Sequence, residues 1–258
     1  MSTLLLVGVL ALLASGLTFV SGFGLGTLLL PAFGAFLPLE HAVAVTGVVH
    51  VLNGLFKLSL VGLHIEWRVF LRFGLPAAVA AVVGAELLLS LSSAAALMEW
   101  HWAGVSGQVT PVKLVVGLLL CAFAALELRP SLRSLTFPPR YLMLGGVLSG
   151  FFGGLSGMQG ALRSAFLVRA GLEPRAYVAT GSAIGVLIDL SRLPVYASAL
   201  VAVRDDINWS VVQVAVVCAC VGALFGQKWI GSMTMAGVQR VVAALLLVMG
   251  TGLMLGLL

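Results

Sequence analysis

The sequence predicts an all-α polytopic integral membrane protein built from two inverted repeats, each a broken-helix hairpin, or pair of short helices, followed by three transmembrane helices. Three observations predict it. Hydrophobic residues make up 61% of the 258 and charged residues only 9%, with mean hydropathy +1.16, whereas soluble domains carry roughly 25% charged residues. The apolar residues fall into ten segments that divide five and five around a hydrophilic centre. Both sets of five carry a glycine-rich break and, a helix's length later, a polar face.

The first set covers 3–20, 22–37, 41–61, 68–92 and 110–128, and the second 141–155, 157–170, 174–201, 209–226 and 236–258. Helices that cross a bilayer need about 17 to 25 residues, and the Leu, Val, Ala and Gly content does not alternate as barrel strands would. Residues 1–20 lack the basic start of a cleaved signal, so this segment is expected to stay in the mature protein. The first break reads Ser21-Gly22-Phe23-Gly24-Leu25-Gly26. At about 100° per residue, Thr46, His50, Asn53 and Lys57 then share one face of 41–61. Glu127 to Arg140, with Arg129, Pro130, Arg133, Pro138 and Pro139, reads as the linker, giving repeats 1–130 and 141–258 around a basic 131–140. The second break runs from Gly153 through Gly160, and Ser182, Asp189, Arg192 and Tyr196 share one face of 174–201. Ser21-Gly22 recurs as Ser156-Gly157, Thr46-Gly47 as Thr180-Gly181, and Lys57-Leu58 as Arg192-Leu193, the pattern of an internal repeat.

Charge sets the sidedness, because Lys and Arg in short loops favour the cytoplasm. If each segment pair around a break enters and leaves by one face, Arg68, Arg72, Arg129, Arg133, Arg140, Arg169, Arg175, Lys228 and Arg240 fall on one side, against Lys113 and Arg204 on the other. That is nine against two; single crossings would divide them six against five. The first arrangement inverts the second half relative to the first and places both termini outside.

Inverted repeats bring their helix breaks together near the midplane, where sites form. Glycine permits the turn, and a restarting helix presents free N–H groups and positive dipole to an anion. Gly24, Gly26, Gly157, Gly160 and Gln159 belong to these breaks. Arg163 follows the second by three residues, with a planar fork suited to oxyanions. Intramembrane Lys57, Arg163 and Arg192 outnumber the central acid Asp189, so the expected substrate is a small anion, held by these residues with Asn53, Ser182 and His50. Lys57 and Arg192 could instead reach the headgroups, and His50 could relay a proton or merely join two helices. Gly8, Gly16, Gly117, Gly222 and Gly226 read as helix-packing positions. Cys121, Cys218 and Cys220 lie in apolar segments and read as packing residues. The scattered basic residues exclude a nucleic-acid patch. No HExxH, GxSxG or intramembrane aspartate pair suggests an enzyme, and no cofactor or metal is expected.

GFGLGTLLLP at 22–31, VTGVVHVLNGLFKLSLVG at 45–62, GVLSGFFGGLSGMQGALRSAFL at 146–167 and ATGSAIGVLIDLSRLPVY at 179–196 resemble the sulfite exporter TauE/SafE transporters over about 250 residues. The resemblance implies a multi-pass inner-membrane protein with duplicated halves, moving sulfite, a sulfonate or a related organosulfur anion out of, or sometimes into, the cell, with export the expected direction. Many relatives carry denser glycines at both breaks, where Phe23, Leu25 and Gln159 stand here, a departure that bears on substrate. The expected partners are the lipid bilayer and a small anion, coupled to protons or another ion, with a homodimer left open. An anion channel, or a transporter of a non-sulfur organic anion, is the alternative.

Overall fold

Long apolar runs without the alternation of barrel strands satisfy their backbone in a bilayer as helices. The computed structural model describes residues 2–17, 19, 25–62, 64–102, 104–129, 136–202, 207–228 and 235–258. Among them are ten α-helices, one for each apolar segment. The first five are α1 (Ser2–Leu17), α2 (Leu25–Gly34), α3 (Leu39–Val61), α4 (Trp67–Ser92) and α5 (Pro111–Leu128). A 3-10 turn at Pro139–Tyr141 then leads into α6 (Leu142–Ser156), α7 (Gly160–Leu167), α8 (Pro174–Ala202), α9 (Trp209–Lys228) and α10 (Met235–Met254). Four of them, α3, α4, α8 and α9, are long and apolar enough to cross a membrane alone. At about 1.5 Å per residue, α2 and α7 reach about 15 and 12 Å, half or less of a hydrocarbon core of about 30 Å. Residues Ser21 to Gly24 of the first break, and 131–135 of the linker, lie outside the described residues.

The second break makes a hairpin. Gly157 takes the left-handed conformation (φ 74°, ψ 0°) that closes α6, and α7 then runs back along it. The Phe166 ring lies over Gly145, while the Ser149 hydroxyl donates to the Gln159 carbonyl (2.9 Å). At the base, Phe137 N–H donates to the Ala165 carbonyl (3.1 Å) and its ring stacks on Phe166 with centroids 4.4 Å apart. The chain therefore enters α6 and leaves α7 at the same end.

Glycine governs how the long helices meet. Gly146, Gly150 and Gly154 of α6 face the carbonyls of Phe73, Ala77 and Ala81 of α4, one step of four residues each, so α4 and α6 run parallel with backbones in contact. On the other side Gly222 and Gly226 of α9 face the carbonyls of Leu12 and Gly16 of α1, again parallel. The pairs α3/α8 and α5/α10 run the opposite way. Gly47 faces Arg192 while Gly54 faces Val186 and Ser182, and Gly117 faces Met254 while Cys121 meets Gly250. Exchanging α1–α5 with α6–α10 maps these four pairings onto themselves.

The outer surface is apolar. On α4, Leu71, Leu75, Val79 and Val83 form a stripe 48–70% exposed, while Phe73, Ala77, Ala81, Ala85 and Leu88 on the opposite face are fully buried. Between Phe73 and Ala85 this helix is apolar all round, as a lipid-facing span must be. A hairpin absent from the sequence reading joins α4 to α5: β1 (Met98–Trp102) pairs antiparallel with β2 (Val105–Val109). Gly104 has φ 82° at its turn. Trp100 Nε1 donates to the Leu255 carbonyl (2.8 Å), and Gln108 N–H to that of Gly256 (3.0 Å), tying the hairpin to the end of α10.

Candidate functional site

The antiparallel crossing of α3 and α8 joins the two polar faces halfway along both helices. His50 is the central residue of α3, and Asp189 lies one residue past the centre of α8. His50 Nδ1 stands 2.5 Å from Asp189 Oδ2. An ionised carboxylate only accepts, so Nδ1 carries the ring proton and donates it. Gln159 Nε2 donates to the same oxygen (3.1 Å). Arg192 Nε (2.8 Å) and Nη2 (2.7 Å) both reach Oδ1. Asp189 is fully buried and takes four donors from α3, α8 and the break before α7, which is the capacity of a carboxylate.

Arg192 also holds the break. Its Nη1 donates to the Gly153 carbonyl (2.9 Å), the last turn of α6, and the buried Tyr196 hydroxyl donates to the Gly154 carbonyl. The Gly153 carbonyl also accepts from the Gly157 N–H (2.9 Å), so it takes a helical donor and the guanidinium together. On the far side, Arg163 Nη1 donates to Gln159 Oε1 (3.0 Å). Gln159 is therefore a bridge: its oxygen takes Arg163 and its nitrogen serves Asp189. A Cβ on Gly185 would stand 2.8 Å from Arg163 Nη1, and one on Gly47 3.1 Å from Arg192 Nη2. These glycines let both guanidinium groups lie against backbone.

The two breaks meet here. A Cβ on Gly26, at the start of α2, would come within 2.9 Å of the Gly157 carbonyl and 3.9 Å of Thr46 Cγ2. Thr46 is 1% exposed, yet its hydroxyl has no hydrogen-bond partner among the described residues. A buried hydroxyl left so costs about 1–3 kcal/mol and is ready to meet a ligand.

The site residues divide as follows. His50, Gln159, Arg163, Asp189 and Arg192 form one connected network beside Gly26, Gly157 and Gly160. Lys57 is buried, with Nζ 5.5 Å from the centre of the Phe19 ring, so it does not extend to the headgroups; Arg163 is near enough to repel it. Asn53 faces α1 instead, its Oδ1 accepting from the Ser15 hydroxyl (3.1 Å). Ser182 stays half-buried two turns before Asp189, outside the network, and Gly24 lies outside the described residues. Ser15 went unnoticed in the sequence because only the α1/α3 contact gives it meaning. Tyr196 sat on the polar face as a neighbour, though its hydroxyl holds the break.

Lys57, Arg163 and Arg192 against Asp189 give the buried cluster a formal charge of +3 − 1 = +2 with His50 neutral. Each charge at membrane depth costs about 2.5–3.5 kcal/mol on insertion scales, so a bound anion would relieve the excess. No curated protein and no solved structure matches this sequence. The family model of the sulfite exporter TauE/SafE matches residues 4–253, nearly the whole chain, and the protein belongs to that family of membrane transporters.

Proposed function

We propose that the chain is a secondary transporter that moves a small sulfur-containing oxyanion, sulfite, a sulfonate or a related organosulfur anion, out of the cell by alternating access. The observation that carries this is the buried +2 cluster halfway along α3 and α8, where the starts of α2 and α7 converge. Arg163 is the principal anion ligand, with the Thr46 hydroxyl and the N–H groups at the two breaks as further donors. Lys57 adds charge without a directed bond. Asp189 neutralises Arg192, which in turn fixes the break, and Arg163 and Lys57 are the two further buried cations of the cluster.

The halves, 1–130 and 141–258, act as inverted repeats across the basic linker. Three observations support this: the exchange of pairings between halves, the antiparallel α3/α8 and α5/α10, and the α6–α7 hairpin that returns to its own end. The protein lies in the inner membrane with both termini outside, an orientation that the nine-to-two division of loop cations supports. His50, the partly exposed member of the network at 17% of its side chain, is the group positioned to carry a coupling proton.

The test is thermal stabilisation of the purified protein across sulfite, sulfate, thiosulfate, sulfoacetate, taurine, phosphate and chloride, followed by flux in proteoliposomes. Selective stabilisation by a sulfur oxyanion with saturable flux is expected. Chloride current without selective stabilisation would make the protein a channel, and selectivity for a carboxylate would replace the sulfur anion.

A further inference from the structure

An apolar groove of about 960 Å³ runs along the outer surface between α4 and α6, lined by none of the charged network's residues. Leu75, Val79 and Val83 wall one side and Val147 and Phe151 the other, with Arg72 at one end. The lining extends from Leu71 to Val83 on α4, about 18 Å of helix, close to the depth of one leaflet in a core of about 30 Å. Pro76 lines it too; its missing N–H leaves the Arg72 carbonyl without the usual helical partner.

The end of the groove is basic and aromatic. Because α4 and α6 run parallel with Phe73 beside Gly146 and Ala77 beside Gly150, the same offset of 73 residues sets Arg68 level with Tyr141 and Trp67 level with Arg140. Trp67 is 60% and Tyr141 38% exposed, and Arg68, Arg72 and Arg140 are exposed. The Arg140 guanidinium lies 4.8 Å from the Tyr141 ring centre. Tryptophan and tyrosine mark the headgroup level. Glu66, beside Trp67, is exposed as well.

We infer that this groove is a binding site for one anionic phospholipid, its chains along Leu75, Val79 and Phe151 and its phosphate held by Arg68, Arg72 and Arg140. A second copy of the chain would bring the same three cations against themselves or against lipid, whereas a phosphate complements them. Basic pockets between helices on the cytoplasmic side select such headgroups. The inference does not depend on the transported anion.

The test is native mass spectrometry of the purified protein with dioleoyl phosphatidylglycerol and, separately, dioleoyl phosphatidylcholine, which differ only at the headgroup. Preferential retention of phosphatidylglycerol is expected, falling about fivefold for each of Arg68→Gln, Arg72→Gln and Arg140→Gln. Val79→Trp, which fills the groove without touching a charge, is expected to abolish retention. Variants are compared at unchanged helical circular dichroism. Equal retention of the two lipids overturns the inference, as does unchanged retention in Arg72→Gln or Val79→Trp. A wild-type dimer that Val79→Trp converts to monomer also overturns it, giving the groove to a second copy.

Discussion

Replacing Asp189 by Asn keeps the shape of the central side chain and removes its charge. In the wild type the carboxylate accepts from Arg192 twice, from His50 and from Gln159. Asparagine has one oxygen to accept with, and its NH2 would face donors. Arg192 would then remain buried, at 1% exposure, without its counter-charge, and the cluster would rise from +2 to +3. Removing one partner of a buried pair costs about 3–5 kcal/mol. For a chain of this size each kcal/mol shifts the midpoint by about 2–4 °C, so the apparent melting temperature in detergent is expected to fall by about 6–20 °C. Intrinsic fluorescence during a thermal ramp would read this, with gel filtration to establish that the variant starts monodisperse. Saturating sulfate should recover part of the loss by supplying the missing charge. A variant that melts at or above the wild type would refute the reasoning, since Asp189 would then not be the charge that holds the network together.

Other expectations follow from single contacts. Gly150→Ala places a methyl group against the Ala77 carbonyl; overpacking of this kind costs about 1–3 kcal/mol and should lower the melting temperature while leaving the ligand groups in place. Ser15→Ala removes the bond to Asn53, worth about 0.6 kcal/mol for an interhelical pair in a membrane, so stability should drop by a degree or two with transport retained. Gly26→Ala sets a Cβ at 2.9 Å from the Gly157 carbonyl; the breaks must separate slightly, and flux should fall by about 10-fold, as small misplacements in reactive sites do. Reporter fusions at either end of the chain should score as extracytoplasmic, and a cytoplasmic score would reverse the orientation.

The helices were legible because a bilayer demands long apolar runs, and such runs survive inspection without knowledge of their neighbours. Each of the ten apolar segments contains one described helix, although the second segment, 22–37, shortens to the ten residues of α2. The hairpin at 98–109 was missed because Met98-Glu-Trp-His-Trp102 reads as a polar loop between spans; its signal was the run of aromatic residues ahead of Gly104. Within the site, Asp189 and Arg192 pair one turn apart on a single helix, which spacing alone reveals. The contact of His50 with Asp189 spans 139 residues and depends on the direction in which α3 crosses α8. Asn53 shares its face with His50 in the sequence, yet α1 claims it through Ser15. Lys57 could have reached the headgroups at the near end of its helix, and burial beneath Phe19 decides the matter. Helical periodicity thus locates polar faces, while partners depend on packing that no single helix encodes.

The central claim is that Arg163, bridged by Gln159 to Asp189 and lying beside the convergent breaks, binds the transported anion. Sulfite flux in proteoliposomes holding equal amounts of wild-type and Arg163→Ala protein, each monodisperse before reconstitution, tests it most directly. Saturable flux in the wild type that is abolished in the variant, together with loss of sulfite-induced thermal stabilisation, is the predicted result. Wild-type flux in Arg163→Ala would contradict the account and move the binding site away from this network.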